Sequence, residues 1–242
     1  MTERRTTCAV LLVWAAALGA CSWTPPGQPA AEPEVPDPRT VTGFAALYGQ
    51  NCAGCHGEQG KGGAALGLGA PGYLAIVPDA AIRKAIVGGI PGTAMPAFAR
   101  SAGGMLTDAQ VDALVAGVRA WAPADVRPDP ATPPYQAMAS GDPRRGAQAF
   151  RDHCGSCHGA DGRGGPRAGS IADGAFLALV SDQSLRTTIL AGRPDVGSPD
   201  FRTAGGRAMS AEDVSDTVAW LVAQRERFPG QPYPNAKVEG SK

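Results

Sequence analysis

"NCAGCHGEQGKGG" at residues 51–63 returns as "HCGSCHGADGRGG" at 153–165, an offset of 102 positions. Each copy sets two cysteines two residues apart, a histidine directly after the second, and then a glycine-rich run that must be loop. The correspondence extends well beyond the motif. One residue is inserted between the copies, and from Asp79 onward the offset is 103, so that Asp79, Arg83, Ile86, Gly89, Pro91, Pro96 and Phe98 recur as Asp182, Arg186, Ile189, Gly192, Pro194, Pro199 and Phe201. A self-match over this length makes the chain an internal duplication.

Composition narrows the class. The 242 residues carry 22 basic and 22 acidic side chains, and this balance gives no electrostatic footprint for nucleic acid. Aromatic residues make up only 6% while glycine and proline are abundant at 33 and 22, so a core built from large side chains alone is thin for this length. A further component that fills the interior is expected.

At the N-terminus Arg4 and Arg5 precede an apolar run, Ala9 to Leu18, too short to span a bilayer. The run closes on Leu18-Gly19-Ala20-Cys21, which resembles the bacterial lipobox and implies that Cys21 is lipidated as the first residue of the mature protein. Residues 1–20 then form a signal peptide, and residues 21–40, rich in proline, form an anchor and tether reaching up to ~60 Å from a membrane surface. A second proline-rich stretch at 123–140 separates two domains, 41–122 and 141–228, leaving 229–242 as a tail. Cys8 leaves with the signal, so every cysteine beyond Cys21 belongs to the two motifs and none remains for a disulfide framework.

Periodicity is helical throughout and no strand pattern of comparable length occurs. Asp79 and Asp182 are expected as N-caps of amphipathic turns carrying Ile82, Ile86 and Leu185, Ile189, with Gly89 and Gly192 as stops. Thr107 and Ser210 are expected to cap a final helix in each copy, with Val111, Leu114, Val115 and Val118 inward in the first and Val214, Val218 and Leu221 in the second.

Two thiols followed by histidine suit covalent attachment of haem, the cysteines adding to its vinyl groups and the histidine binding iron. A thioredoxin-like redox pair would need a βαβ setting, and a zinc ribbon would need its cysteine pairs close in sequence. Neither condition is met. With CAGCH, CGSCH and GTAMPAF (residues 92–98) on the page, the chain resembles the class I c-type cytochromes, as a tandem, dihaem lipoprotein form. The resemblance implies an all-α fold of two cytochrome c-like helical domains, each wrapped on a covalently bound haem c. It implies Cys52, Cys55, Cys154 and Cys157 as thioether sites, His56 and His158 as proximal ligands, and Met95 as distal ligand of the first haem. Met105, which lacks the flanking Pro-x-Phe, is expected to be a core methionine.

The second copy departs from this pattern: opposite Met95 stands Ser198, with Pro199 and Phe201 in register. Serine is a poor iron ligand and two heavy atoms shorter than methionine. The sixth position is left to Met209, aligned with Leu106, to an open or water-occupied site, or to another donor. His153, next to Cys154, is expected exposed or on the propionate side. The expected function is electron transfer in a respiratory or photosynthetic chain on the periplasmic side of a bacterial membrane. A quinol-oxidising complex or dehydrogenase would be the donor, and an oxidase, reductase or photosynthetic centre the acceptor. A haem enzyme or gas sensor using the second haem is the alternative.

The lipobox has a direct test. The wild-type protein should partition into detergent from bacterial membranes, and Cys21→Ser should move it into the aqueous phase. A Cys21→Ser variant that stays with the membrane would remove the anchor.

Overall fold

The computed structural model describes residues 37–226; Cys8, Cys21, most of the tether segment and the chain from residue 227 lie outside the described residues. The first repeat comprises α1 (Phe44–Asn51), α2 (Ala53–His56), α3 (Pro71–Ile76), α4 (Asp79–Gly88) and α5 (Asp108–Arg119). The second repeats the order with α6 (Pro143–His153), α7 (Gly155–His158), α8 (Gly174–Ala178), α9 (Asp182–Ala191) and α10 (Ala211–Val222). Short 3-10 turns join them. Strand-like pairing among the described residues is confined to isolated bridges, so the fold is all-α. No described helix is long and apolar enough to cross a membrane.

The last helix of each repeat starts on a reciprocal cap. Thr107 accepts from the Gln110 backbone N–H while the Gln110 side chain accepts from Thr107, and Ser210 and Asp213 do the same for α10. Val111, Leu114 and Val118, and in the second copy Val214, Val218 and Leu221, are buried as their spacing predicts. The caps expected at Asp79 and Asp182 are corrected. Pro78 and Ser181 hold the N-cap positions, Ser181 accepting from the Ser184 N–H, and the two aspartates are the first residues inside their helices. Their carboxylates go instead to arginines from the end of each repeat. Arg119 binds Asp79 and the carbonyls of Leu74 and Val77. Arg225 binds Asp182 and the carbonyls of Leu177 and Val180. The acceptors correspond one for one at an offset of 103, yet the donors do not. Arg119 aligns with Val222, and Arg225 lies about one helical turn beyond it, within reach of the same carbonyls.

The terminal helices cross in both repeats with a glycine at each contact, Gly117 admitting the Phe44 ring and Gly146 the Asp216 carbonyl and the Trp220 Cβ. A Cβ on Gly117 of α5 would fall inside the Phe44 ring of α1. In the second repeat the aligned positions are exchanged: glycine is on the first helix, at Gly146, and the large residue is Trp220 on α10. The aromatic that seals the crossing moves accordingly, with Trp121 packing edge-on against Phe44 and Tyr48 in one copy and Trp220 against Phe150, centroids 4.3 Å apart, in the other.

The proline-rich connection is packed. Arg186, buried, donates to the carbonyls of Pro134 (2.7 Å) and Tyr135 (3.1 Å), and Gln183 also donates to Tyr135 O (2.8 Å). The Tyr135 ring rests against the first repeat's core. Arg83, the aligned residue of the first repeat, pairs at the surface with Asp108 and Asp112. The two repeats then meet directly through α3 and α9, where Gly72 lies so close to Ala191 that a Cβ would stand 2.7 Å from its carbonyl oxygen.

The crossing can be tested by a double-mutant cycle on Phe44 and Gly117. Gly117→Ala should destabilise the first repeat by about 1–3 kcal/mol through overpacking. Adding Phe44→Ala should cost less than the two single changes summed, as read from urea midpoints, because the three atoms nearest the new Cβ all belong to that ring.

Candidate functional site

Each CxxCH motif is placed by a single break in the first helix. Helix α1 ends at Asn51, and the next turn, α2, presents Cys52, Cys55 and His56; α6 and α7 present Cys154, Cys157 and His158 in the same way. Cys52 N–H still bonds Tyr48 O, and Cys154 N–H bonds Phe150 O, so the motif turn is tethered to the helix before it. The following glycine takes a backbone that other residues avoid, Gly57 at φ 78° and Gly159 at φ 80°, and turns the chain back over the histidine.

That return supplies the decisive contact. His56 Nδ1 donates to Leu66 O at 2.8 Å, and His158 Nδ1 donates to Gly169 O at 2.8 Å. A carbonyl can only accept, so both rings carry a proton on Nδ1, and in the neutral ring Nε2 keeps its lone pair for a metal. Burial pushes the His56 pKa down, the Leu66 carbonyl raises it and the Arg193 guanidinium lowers it further, so the neutral, ligating form is favoured. The four motif cysteines are free thiols. Burial, reinforced by the second thiol of each pair, pushes Cys52 and Cys154 up to about 11. No group of three or more His, Cys, Asp or Glu among the described residues is arranged to hold a bare ion. Two unpaired thiols beside one imidazole with a free Nε2 lack the fourth donor of a structural zinc site, and they fit haem c.

The distal loops of the repeats sit in matching register. Ile90 N–H bonds Met95 O at 3.0 Å, and at the aligned positions Arg193 N–H bonds Ser198 O at 3.0 Å. Met95 is half-buried at this point in the first repeat, and Ser198 occupies the same point in the second. Met209 lies elsewhere: it is 3% exposed, in a cluster with Leu190, Phe201, Ala204 and Val214. Its N–H bonds Phe201 O at 2.8 Å just as Leu106 N–H bonds Phe98 O, so it fills the place of a core leucine. Two expectations are corrected. Met105 is 82% exposed and not a core residue. His153 is neither exposed nor free: it is 3% exposed, with Nδ1 bonded to Ala204 O at 2.8 Å and Nε2 lacking a hydrogen-bond partner. The α6 terminus is covered by the turn at Ala204–Gly206.

Sequence reasoning missed the acceptors Leu66 and Gly169, because a backbone carbonyl has no signature in side-chain pattern. It also missed Arg193 and Asp195. These are charges that the second repeat's loop introduces and that are left only 12% and 9% exposed.

A helical domain that presents two thiols and an oriented imidazole on one turn, twice over, is a c-type cytochrome domain pair. Comparison with known families agrees. Residues 39–116 match the model of cytochrome c oxidase, cbb3-type, subunit III, and residues 143–224 match that of cytochrome c, together about two thirds of the chain. The chain belongs to the c-type cytochromes, as two tandem cytochrome c domains. It is 29% identical over 190 residues to the cytochrome bc1 complex cytochrome c subunit of Mycobacterium bovis, covering 76% of this chain and 64% of that protein. It is 30% identical over 156 residues to the cbb3-type cytochrome c oxidase subunit FixP of Sinorhizobium medicae, covering 60% of this chain and 48% of that one. The chain therefore spans less than two thirds of the length of these curated relatives. Among solved structures it is similar to a Kuenenia stuttgartiensis reducing HAO-like protein complex, with a TM-score of 0.46, 19% identity, and 79% of this chain and 100% of that one covered.

The raised thiol pKa values predict chemistry in the haem-free protein. At pH 8 only about one molecule in a thousand carries thiolate at a group titrating near 11, so Cys52 and Cys154 should alkylate far more slowly than a small exposed thiol. Their rate should climb about tenfold per pH unit towards pH 11, as followed by mass spectrometry of iodoacetamide adducts.

Proposed function

We propose that this protein is a dihaem electron carrier of a respiratory chain. Cys52 and Cys55 attach one haem c, Cys154 and Cys157 attach the other, and His56 and His158 ligate iron through Nε2. Haem supplies a one-electron couple at its iron; the chain's own residues hold it, shield it and make the two sites different. The observation that carries the reading is the pair of matched imidazole-to-carbonyl bonds, to Leu66 and Gly169, each beside two unpaired thiols.

The sites differ on the distal side. Met95 serves as the thioether ligand of the first. In the second, Ser198 at the same register supports an open or water-occupied position, and the burial of Met209 in the place of Leu106 supports reading it as packing. The names of the relatives, a bc1-complex subunit and a cbb3-type oxidase subunit, support a donor such as a quinol-oxidising complex or dehydrogenase and an acceptor such as an oxidase, a reductase or a photosynthetic centre. The lipobox sequence supports attachment through Cys21 to the periplasmic side of a bacterial membrane. Ser198 also favours one second reading, a peroxidase- or reductase-like enzyme or a gas sensor that binds a small ligand at the second haem.

The purified protein should retain haem stain on a denaturing gel and, when reduced, bind about one carbon monoxide per chain. Met95→Ala should lower the first haem's potential and abolish the near-infrared band of ferric sulfur-ligated haem. Ser198→Met should suppress carbon monoxide binding, and Met209→Ala should leave it unchanged. Two low-spin haems inert to carbon monoxide, one of them converted by Met209→Ala, would make Met209 the ligand and end both the open-site reading and its sensor or enzyme variant.

A further inference from the structure

The second repeat's distal loop has lost a ligand and acquired a charged pair. Ile90, Gly92 and Met95 of the first repeat correspond to Arg193, Asp195 and Ser198. Both new charges face the other repeat. Arg193 Nη1 donates to Ala65 O and Nη2 to Gly63 O, each at 2.9 Å. Nε and Nη2 also meet the Asp195 carboxylate at 2.9 and 2.7 Å, and Asp195 Oδ2 accepts from the Gly62 N–H at 2.8 Å. The side chains are 12% and 9% exposed. Gly67 leaves room for them: a Cβ there would stand 3.2 Å from Arg193 Nε and 3.5 Å from Asp195 Oδ1.

A buried ion pair is retained without large cost only when its remaining hydrogen-bonding capacity is met. Here the backbone of residues 62–65 meets it on both the cationic and the anionic side. That backbone runs directly into Leu66, whose carbonyl holds His56. The loop that carries the pair is itself closed by two hydrogen bonds, Arg193 N–H to Ser198 O and Ser198 N–H to Arg193 O, at 3.0 and 2.9 Å. Residues 193–198 thus form a rigid ring whose charged edge grips residues 62–65.

We propose that Arg193 and Asp195 are positioning residues for His56: an interdomain clamp by which the second domain sets the proximal loop of the first haem site. The proposal rests on the reading of His56 as an axial ligand. It accounts for the paired arrival of Arg193 and Asp195 together with the loss of methionine at Ser198. The first repeat's loop touches its neighbour only lightly at this register, through the Ala94 N–H on Leu179 O at 3.3 Å, and in the second repeat a charged grip stands where the methionine is lost. It also makes the two sites non-independent, since the segment over the second haem and the segment behind the first are one hydrogen-bonded unit.

Asp195→Asn is the principal test. It is nearly isosteric, keeps an acceptor for the Gly62 N–H and removes the counter-charge. In the holoprotein the unpaired guanidinium beside the His56 loop favours ferrous over ferric iron. The first haem's midpoint potential, read from loss of its near-infrared sulfur band during a redox titration, should therefore rise. Arg193→Gln added to Asp195→Asn should reverse the rise. Arg193→Lys retains charge but cannot fork to two carbonyls, and it should shift the ferric low-spin electron paramagnetic resonance g values of the His56-ligated haem. If both single variants lower the melting temperature yet leave that potential and those g values as in the wild type, the pair is only an interface contact and the positioning role is wrong. A shift confined to the second haem overturns it equally. Failure of the axial reading would appear separately, as a wild-type protein with no haem stain or no near-infrared band.

Discussion

An imidazole with two nitrogens must have one of them occupied before the other is a defined ligand, and the architecture of both repeats follows from that requirement. The hydrogen bonds from His56 to Leu66 and from His158 to Gly169 need a carbonyl brought back over the ring about ten residues after it. The chain manages this with a left-handed glycine directly after the histidine, a tight loop, and a short helix that returns to the core. The same loop is rich in glycine and carries few large side chains in both copies. Without that acceptor the ring could take either tautomer and the site would lose its orientation.

Duplication conserved the contacts and let the residues that make them drift. The carbonyls of Leu74 and Val77 with Asp79 correspond to those of Leu177 and Val180 with Asp182, yet the arginine that binds them moves by about a helical turn between Arg119 and Arg225. The helix crossing keeps one glycine and one large side chain but exchanges the helices that supply them, Phe44 with Gly117 in one repeat and Gly146 with Trp220 in the other. In both cases the constraint is steric or electrostatic complementarity at a point in space. Any pair of positions that reaches that point satisfies it.

The surfaces where the repeats meet each other and the connection between them carry the asymmetry. Arg83 and Arg186 are the same residue at the same repeat position, one in an exposed ion pair and the other buried beneath the connecting strap. Ile90 and Arg193 likewise diverge: the second copy of that loop grips residues 62–65 through charged side chains, whereas the first meets the other repeat through the Ala94 N–H on Leu179 O. The two repeats therefore differ at the contact between domains and at the Met95/Ser198 exchange, against a common scaffold.

Much was legible in the sequence because it rests on local chemistry. The CxxCH spacing requires its residues within one turn, the capping boxes at Thr107 and Ser210 are reciprocal over three residues, and the inward positions of α5 and α10 follow helical period. The offset alignment alone placed Ser198 opposite Met95. The caps expected at Asp79 and Asp182 failed by one position, because distant arginines compete for those carboxylates and neither Pro78 nor Ser181 needs their help. Met105 and His153 exchanged their expected environments for a similar reason: exposure depends on what covers a residue, and the cover at His153 comes from Ala204, 51 positions away. The sequence by itself determined the helical class, the duplication and the two CxxCH motifs. The tertiary structure alone decided which carbonyl orients each histidine, that the proline-rich stretch is packed, and that Arg193 and Asp195 grip the first domain, because backbone acceptors and interdomain contacts leave no periodic trace in the order of the residues.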